Sequence, residues 1–243
     1  MNLSVRLQAV ADMVSKGRRV ADIGCDHGYV SIYLCRQKQC PRIIAMDVKK
    51  GPLDRAKANI ERYGLSDYIE TRLSDGTSAL EPGEADALLI SGMGGRLTIR
   101  ILEEGFERLG KFSELVLQPQ SEIFLVRAFL RQQGIKIVDE NMVLDEGKYY
   151  SIIKAVYEEK EQSREMTGTV LNTESEELGN SYRQMVEDYF GPVLLVKRPP
   201  VFEEYLQKEA EKTKSLLLKV TKQERIRELQ EYLTYVEEAL DNR

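Results

Sequence analysis

A short run near the start of the chain combines acidic side chains with a glycine bend and a histidine. The run reads Asp22-Ile23-Gly24-Cys25-Asp26-His27-Gly28. Glycine at position 24 permits a tight turn and lets a ligand approach the main chain. Gly28 permits close packing of the following helix against the strand, and that helix offers its N-terminal N–H groups. The run predicts a nucleotide-type binding loop, with an ordinary glycine turn of an α/β protein as the alternative.

A second carboxylate, Asp47, ends the next apolar run. An acidic residue at the end of a second strand is placed to accept hydrogen bonds from both ribose hydroxyls of a nucleoside. The alternative is an Asp that caps the helix before Pro52, a contribution of about 1 kcal/mol. Together with Gly24, Asp47 favours a nucleoside cofactor, and the adjacent Val48 is expected to line the same site.

The charge of Asp26 distinguishes between two classes of cofactor. A dinucleotide-binding loop has glycine where this chain has Asp26, because that glycine makes room for a pyrophosphate. A carboxylate there repels a pyrophosphate and attracts a sulfonium or an ammonium group. We therefore predict S-adenosylmethionine rather than a nicotinamide dinucleotide, with Asp22 placed to reach the methionyl ammonium.

Three further loops follow later strands and bear polar or glycine residues. An Asp after the third strand can accept from the amine of adenine, with a plain Asp-Gly turn as the alternative. A glycine-rich loop after the fourth strand suits backbone contact with a ligand near the transferable methyl, with a mobile loop as the alternative. A glutamine after the fifth strand can read an adenine edge, with a polar loop as the alternative. The candidates are Ser74, Asp75 and Gly76; Ser91, Gly92, Met93 and Gly94; and Gln118 and Pro119.

These loops need a sheet to bring them together. Strands and helices alternate over residues 1–157 in the pattern of a parallel sheet with helices on both faces, and the region closes in an antiparallel hairpin around a four-residue turn, 145–148. The fold class predicted is α/β, a Rossmann-like sheet with a terminal hairpin. The predicted strands are 19–23, 42–47, 68–73, 85–90 and 114–117. The predicted helices are 29–38, 52–63, one that follows the loop 91–95 and ends at about Leu109, and 121–133, the last capped by Ser121.

The remainder of the chain has a different pattern. Residues 158–180 are polar and acidic and indicate either a linker or a loosely packed start to a second region. A short helix is predicted over 181–190. Beyond Pro199-Pro200, apolar residues recur at alternating spacings of three and four along two segments of about 20 residues. This spacing predicts an antiparallel coiled-coil hairpin. We expect a catalytic domain over 1–158 and a helical domain over 159–243.

The composition limits which other kinds of site and protein class the sequence allows. The 243 residues include one histidine and three cysteines, which fit no zinc spacing, so we expect no metal site and a reduced, cytoplasmic setting. No stretch approaches the roughly 20 apolar residues of a membrane helix.

The net charge is -5, yet Lys and Arg exceed Asp and Glu within residues 1–62 and 192–227. These patches suit a polyanion, although solvated helix faces give the same pattern. The candidate contacts are Lys16, Arg18, Arg19, Lys49, Lys50, Arg55 and Lys57, and Lys208, Lys212, Lys214, Lys219 and Lys222 in the tail.

Several motifs together resemble one enzyme family. The run 20–29, the loop Ile90-Ser91-Gly92-Met93-Gly94-Gly95 and Leu117-Gln118-Pro119-Gln120 are similar to those of bacterial tRNA (adenine-22-N1)-methyltransferases. The opening Leu3-Ser4-x-Arg6-Leu7 and the segment 190–195 before a helical hairpin resemble the same family. The likeness covers nearly the whole chain.

The resemblance implies a class I methyltransferase that transfers a methyl group from S-adenosylmethionine to N1 of adenine 22 in tRNA. It also implies that Asp22, Gly24, Asp47, Asp75, Gly76 and the loop 91–94 line the cofactor site, and that Arg6 lies over the pocket near the substrate. On chemical grounds, Asp26 is our candidate to stabilise the charge that develops on adenine, and His27 is our candidate proton acceptor. We expect a monomer or a weak dimer.

Two other functions stay open at this point. One is a nicotinamide-dependent oxidoreductase, which Asp26 and the terminal hairpin disfavour. The other is an RNA-binding scaffold that keeps the fold without the reaction.

Overall fold

The computed structural model describes residues 3–157 and 174–241. The chain forms two compact units, Met1–Tyr157 and Glu158–Arg243. The division falls one residue before the domain boundary expected from the sequence.

The first unit contains a mixed sheet of seven strands in the order β3-β2-β1-β4-β5-β7-β6. Strands β1 to β5 pair in parallel, whereas β7 runs antiparallel to both β5 and β6. The predicted Rossmann-like sheet with a terminal antiparallel hairpin is confirmed. The strands are β1 Val20–Ile23, β2 Ile43–Asp47, β3 Ile69–Leu73, β4 Ala87–Met93, β5 Glu114–Pro119, β6 Ile135–Asp145 and β7 Lys148–Tyr157.

Helices cover both faces of this sheet. The central strands are apolar at successive positions because both of their faces are buried. One face, with Val20, packs against α1, α2 and α3, and the other, with Ala21, packs against α4 and α5. The five helices are α1 Val5–Met13, α2 Tyr29–Gln37, α3 Lys50–Arg62, α4 Gly95–Leu109 and α5 Ile123–Gln132.

Strand order reverses beside β1, which lies between β2 and β4. In open α/β sheets, ligands bind beyond the carboxyl ends of the strands at such a switch point. Helices α2, α3, α4 and α5 start at this edge, and none of the four has a side-chain hydrogen bond at its N-cap. By contrast, the Ser4 hydroxyl caps α1 by accepting from the Leu7 N–H at 3.3 Å.

Several predicted boundaries were wrong. Ser121 does not cap α5, because Glu122 occupies the N-cap in a left-handed conformation and the Ser121 carbonyl accepts from the Gly95 N–H at 3.0 Å. Strand β4 continues past Ile90 to Met93, and Pro119 lies within β5 rather than ending it earlier, because Met93 pairs with Pro119.

The hairpin turn has two residues between the strands instead of four. Glu146 and Gly147 both adopt positive φ, 48° and 77°, as a tight turn that matches the strand twist requires. Helix α1, which has no counterpart among the predicted elements, packs against β6 and β7.

The second unit is helical. Its helices are α6 Glu174–Phe190, α7 Pro192–Lys197, α8 Pro200–Leu217 and α9 Gln223–Asp241. Arg198, just before α8, donates to the Ala239 carbonyl at 2.8 Å near the end of α9, so α8 and α9 form an antiparallel hairpin. The predicted start of α6 at Ser181 was wrong, since the helix begins at Glu174, and α7 was not predicted. Coiled-coil packing stays a prediction, and residues 158–173 of the expected linker lie outside the described residues.

Candidate cofactor and substrate site

Gly24 forms the bend directly after β1. Its φ is +76°, and its N–H donates to the Met46 carbonyl at 2.8 Å. A β-carbon placed on Gly24 would lie 2.5 Å from Met93 Cε. The bend therefore needs glycine for its conformation and for the approach of Met93 from the loop after β4.

Asp22 is a buried carboxylate at the end of β1. Asp22 is only 4% exposed, and its Oδ2 accepts a hydrogen bond from the Ser31 hydroxyl of α2 at 2.6 Å. Burial raises the pKa of Asp22 to about 6; the Ser31 hydrogen bond opposes this rise and the charge of Asp47 adds to it. A cation bound at this carboxylate would hold it in the ionised form.

Asp47 connects two loops at the same edge. Its Oδ1 accepts from the Lys49 N–H at 2.8 Å, and its Oδ2 accepts from the Asp26 N–H at 3.3 Å. The carboxylate thus joins the loop after β1 to the start of α3. Val48 beside it is 59% exposed, and its place in the cofactor site stays a prediction.

Asp26 and His27 form a loose pair at the surface of the first loop. Asp26 adopts a φ of 47°, its side chain is 64% exposed, and its Oδ2 lies 3.6 Å from His27 Nε2. Arg55 Nη2 lies 4.0 Å from Asp26 Oδ1. The carboxylate is therefore accessible to a ligand, with the imidazole close by.

Gly28 serves helix packing. Its φ is +71°, and a β-carbon there would lie 3.1 Å from Ala56 Cβ of α3. The close approach predicted for this glycine exists, although it is to a helix rather than to a strand.

The loop after β3 is held in shape by Ser74. The Ser74 hydroxyl donates to the Gly76 carbonyl at 2.8 Å and accepts from the Ala79 N–H at 3.1 Å. Asp75 is exposed, and Arg100 Nη2 lies 3.1 Å from its Oδ1. An adenine amine at Asp75 would share this carboxylate with Arg100.

The loop after β4 is fixed against the loop after β5. A β-carbon on Gly95 would lie 2.6 Å from the Ser121 carbonyl oxygen and 2.7 Å from that of Glu122. The Gln120 N–H also donates to the Met93 carbonyl at 2.8 Å. These contacts favour a shaped loop over the mobile one that the glycines also allowed.

Arg6 reaches the ends of β4 and β5 from α1. Its Nη1 donates to Gln118 Oε1 at 2.8 Å and lies 3.5 Å from the Ser91 hydroxyl. Its guanidinium carbon lies 5.4 Å from the centroid of the Tyr150 ring. Gln118 is fully buried, so an adenine could reach its amide only after a local movement. The structure brings Arg6, Ser91 and Gln118 together, as the sequence predicts for one site.

The predicted basic contacts include exposed cations beside the site and cations that already pair with carboxylates. Lys49 and Lys50 are exposed at the start of α3, beside Asp47. Several others already face carboxylates: Arg19 pairs with Asp86, Lys208 with Glu204, Lys212 with Glu209 and Lys214 with Glu237. The charge of these four cations is partly compensated, which weakens the case that they bind a polyanion.

Sequence reasoning missed three residues that shape the site. Ser31 orients Asp22, Tyr150 lies against the Arg6 guanidinium, and the Asp145 carboxylate accepts from the Arg6 N–H at 3.0 Å. Asp145 and Tyr150 flank the hairpin turn, so their position beside a predicted hairpin was the one available signal.

Two other features are absent from residues 3–157 and 174–241. No helix in these ranges is long and apolar enough to cross a membrane. No group of three His, Cys, Asp or Glu side chains in the same ranges could hold a metal ion.

Comparisons with known proteins agree with this geometry. A family model described as a methyltransferase domain matches residues 3–153. A tRNA (adenine(22)-N(1))-methyltransferase of Bacillus subtilis is 37% identical over 155 residues, an alignment that spans 64% of this chain and 65%, just under two thirds, of that protein.

Solved structures extend the likeness to the second unit. The crystal structure of the Bacillus subtilis m1A22 tRNA methyltransferase has a TM-score of 0.80 and 29% identity, covering 99% of each chain. A Streptococcus pneumoniae protein, provisionally assigned as a tRNA (m1A22) methyltransferase and solved with S-adenosyl-L-methionine, has a TM-score of 0.80 and 33% identity. That match covers 98% of this chain and 100% of the other. The chain therefore belongs to the family of bacterial tRNA (adenine-22-N1)-methyltransferases.

Proposed function

We propose that this protein transfers a methyl group from S-adenosylmethionine to N1 of adenine 22 in tRNA. One observation carries the proposal: a buried carboxylate, Asp22, and a second one, Asp47, flank the Gly24 bend at the switch point of the sheet. Membership of the methyltransferase family supports the reaction class.

The residues at this edge fit the proposed methyl donor. Asp22 and Asp26 offer negative charge to an ammonium and a sulfonium, and Asp47 offers acceptors to ribose hydroxyls. Gly24 leaves the main chain open to close approach once the terminal methyl of Met93 moves aside. Asp75 is exposed and can accept a hydrogen bond from the amine of the cofactor's adenine. The main chain of Gly76, Ser91, Gly92 and Gly94 lines the cofactor in this proposal.

S-adenosylmethionine supplies an electrophilic methyl group on a positively charged sulfur. Adenine N1 carries a lone pair, so the protein does not need a strong base to create the nucleophile. Its main task is alignment, because holding two reactants in line removes much of the entropic barrier. The loops after β1 and β4 hold the donor. Arg6 at the rim holds the base, together with Gln118 and Pro119 once a local movement exposes these two buried residues.

Asp26 and His27 carry the charge and the proton in this proposal. The adenine ring gains positive charge as N1 is methylated, and the exposed Asp26 carboxylate stabilises that charge. His27, 3.6 Å from Asp26, accepts the proton that N6 then loses. Neither group is needed to activate N1.

The substrate must present its pairing edge, since N1 lies on that edge. The target adenine is therefore unpaired or extruded before the reaction. Lys49 and Lys50 bind phosphates of the tRNA beside the site, and this binding weakens as salt rises. We place the enzyme in the cytoplasm with its tRNA, as a monomer or weak dimer that needs no metal.

A methylation assay tests the proposal. The protein is incubated with an unmodified tRNA transcript and S-adenosylmethionine labelled in the methyl group, and the product is digested and analysed by mass spectrometry. We expect N1-methyladenosine at position 22, and none in a matched transcript with guanine there. Labelling at another nucleotide, or no labelling at all, would overturn the proposal.

Calorimetry separates the oxidoreductase alternative. We expect heat from S-adenosylmethionine and none from NADH at the same concentrations. Uptake of NADH in place of the methyl donor would contradict the charge argument at Asp26.

A further inference from the structure

Arg6 is a half-buried cation whose guanidinium contacts only neutral groups. Its partners are the Gln118 amide oxygen, the Ser91 hydroxyl and the face of the Tyr150 ring. Within 4.0 Å of the guanidinium there is no carboxylate among residues 3–157 and 174–241. The nearby Asp145 carboxylate is used by the Arg6 backbone N–H at 3.0 Å.

This arrangement differs from that of other arginines in the same unit. Arg19, Arg72, Arg96 and Arg100 each lie within 4.0 Å of a carboxylate. A charge that is partly withdrawn from water without a counter-charge is unfavourable, and such a charge in a candidate site indicates a missing anionic ligand. Among the described residues, Arg36, Arg62 and Arg108 also lie beside no carboxylate, but all three are exposed to water, whereas Arg6 is half-buried.

The guanidinium is also positioned to bind. One atom, Nη1, makes both hydrogen bonds, to Gln118 and to Ser91. Within the described residues, Nε and Nη2 therefore keep their N–H groups for a ligand. Gly92 adopts a φ of +81°, and a β-carbon there would lie 3.7 Å from Arg6 Nη1, so the main chain approaches closely without a side chain in the way. The Tyr150 ring packs against the guanidinium, and the Asp145 carboxylate accepts from the Arg6 main-chain N–H.

We propose that Arg6 is the oxyanion-binding residue of this site and takes two oxygens of a substrate anion through its free N–H groups. This inference rests on the proposed function and specifies the chemistry of one contact. The proposed reaction brings two such anions to this edge, the methionyl carboxylate of the methyl donor and a phosphate of the tRNA beside the target adenosine. A planar guanidinium matches either group with two parallel hydrogen bonds.

Arg6→Gln tests the inference, because it keeps a polar side chain and removes the charge. The first measurement is calorimetric titration with S-adenosylhomocysteine and with 5′-methylthioadenosine, which lacks the carboxylate. If Arg6 binds the methionyl carboxylate, the variant binds the first ligand roughly 10- to 100-fold more weakly and the second unchanged.

The second measurement is tRNA binding as a function of salt. If Arg6 binds a phosphate, the slope of log affinity against log salt concentration falls by about 0.7 to 0.9, the contribution of one phosphate contact. In that case the affinity for S-adenosylhomocysteine stays the same. Arg6→Lys keeps the charge without the fork and should fall between the wild type and Arg6→Gln in whichever measurement responds.

Two controls make the outcome decisive. Arg42→Gln removes another half-exposed cation, one that pairs with Glu70 near the amino end of β2, and should change neither measurement. Thermal unfolding checks that Arg6→Gln is folded. If a folded Arg6→Gln keeps both the wild-type affinity for S-adenosylhomocysteine and the wild-type salt dependence of tRNA binding, the inference is overturned and the proposed function stays intact. If the wild type binds neither substrate, the proposed function itself is overturned.

Discussion

The Ser31 hydroxyl donates a hydrogen bond of 2.6 Å to Asp22 Oδ2, and both residues are nearly inaccessible to water. Ser31 belongs to α2 and Asp22 to β1, so the bond joins the helix to the strand on either side of the Gly24 bend. Burial raises the pKa of Asp22 to about 6, and Ser31 limits that rise. The ionisation of a residue proposed to hold the methyl donor therefore depends on a neighbouring hydroxyl.

Ser31→Ala is expected to weaken binding of S-adenosylmethionine most at mildly acidic pH. The loss of the hydrogen bond raises the pKa of Asp22 further and favours its neutral form, which attracts an ammonium less. A hydrogen bond to a charged group contributes about 1.5–3 kcal/mol, so calorimetry at pH 6 should show a roughly tenfold or larger loss, and less at pH 8. Ser31→Thr keeps the hydroxyl and should restore most of the affinity, and Ser151→Ala, at another buried serine, serves as the control. Equal affinities of wild type and Ser31→Ala at pH 6 would contradict this reading.

Binding of the methyl donor is expected to release up to one proton near pH 6. The ligand-free Asp22 is partly protonated there, and a bound ammonium lowers its pKa, so affinity should rise from pH 5 to 7 and then level off. Calorimetry in two buffers with different heats of ionisation measures the proton count. Asp22→Asn should abolish the release; a wild type that releases none would show that Asp22 is already ionised.

The same ionisation affects stability without ligand. Asp22 has a pKa of about 6 in the folded chain against an ordinary value of 3.8, so the folded state loses stability relative to the unfolded state as pH rises from about 4 to 6. Asp22→Asn should therefore unfold at a higher temperature than the wild type at pH 8, with the difference shrinking towards pH 4. Scanning calorimetry at the two pH values provides the comparison.

Gly24→Ala is expected to impair binding of the methyl donor more than tenfold. Alanine is strained at a φ of +76°, at about 1–3 kcal/mol, and its β-carbon would meet Met93 Cε. The double variant Gly24→Ala with Met93→Ala removes the collision and keeps the backbone strain. Calorimetry should show partial recovery in the double variant, and full recovery would mean that the backbone conformation is unimportant.

Asp26→Asn is expected to lower the rate of methyl transfer roughly 10- to 100-fold, since the amide cannot stabilise positive charge on adenine as a carboxylate does. Single-turnover kinetics with bound tRNA isolates this step. His27→Ala should reduce that rate less, because His27 accepts the N6 proton of adenine only after the methyl group has been transferred. A larger loss in His27→Ala than in Asp26→Asn would reverse the two roles.

Gly95→Ala is expected to destabilise the protein by about 1–3 kcal/mol, because a β-carbon there collides with two backbone oxygens that cannot turn aside as a side chain can. Gly51→Ala is the matched control. Its nearest neighbour would be Arg55 Nη1 at 3.8 Å within α3, so alanine should be neutral or stabilising there. Urea unfolding of the two variants gives the comparison, and equal midpoints would contradict the packing argument.

Much of the fold could be predicted because local signals and the sheet agree. The short strands around Asp22 and Asp47 are apolar throughout, and the alternation with helices specifies a parallel sheet. Tertiary contacts decided the remainder. Met93 continues β4 because it pairs with Pro119, and α1 forms where its apolar side meets the hairpin, neither of which is visible in a local pattern.

The candidate site shows the same division. Residues at strand ends, such as Asp47 and Ser91, could be placed from sequence because parallel strands end at one edge. Partners from distant segments could not. Arg6 meets Gln118 across 112 positions of the chain, and Asp145 fixes the Arg6 backbone from 139 positions away. Carboxylates from distant segments also decide whether a predicted basic contact is free to bind a polyanion. Lys214, for example, pairs with Glu237.

The helices that start at the ligand edge without side-chain caps bear on how far this enzyme could be made more heat-resistant. An added cap at a position such as Lys49 would accept from the Gly51 N–H, since Pro52 has none, and would contribute up to about 1 kcal/mol. It would do so by occupying an N–H group beside the proposed cofactor site and by replacing a cation that the proposed function assigns to the tRNA. Thermal stability and catalytic rate therefore compete at this edge of the sheet. Substitutions that raise the stability without lowering the rate belong at the opposite edge, where the strands begin.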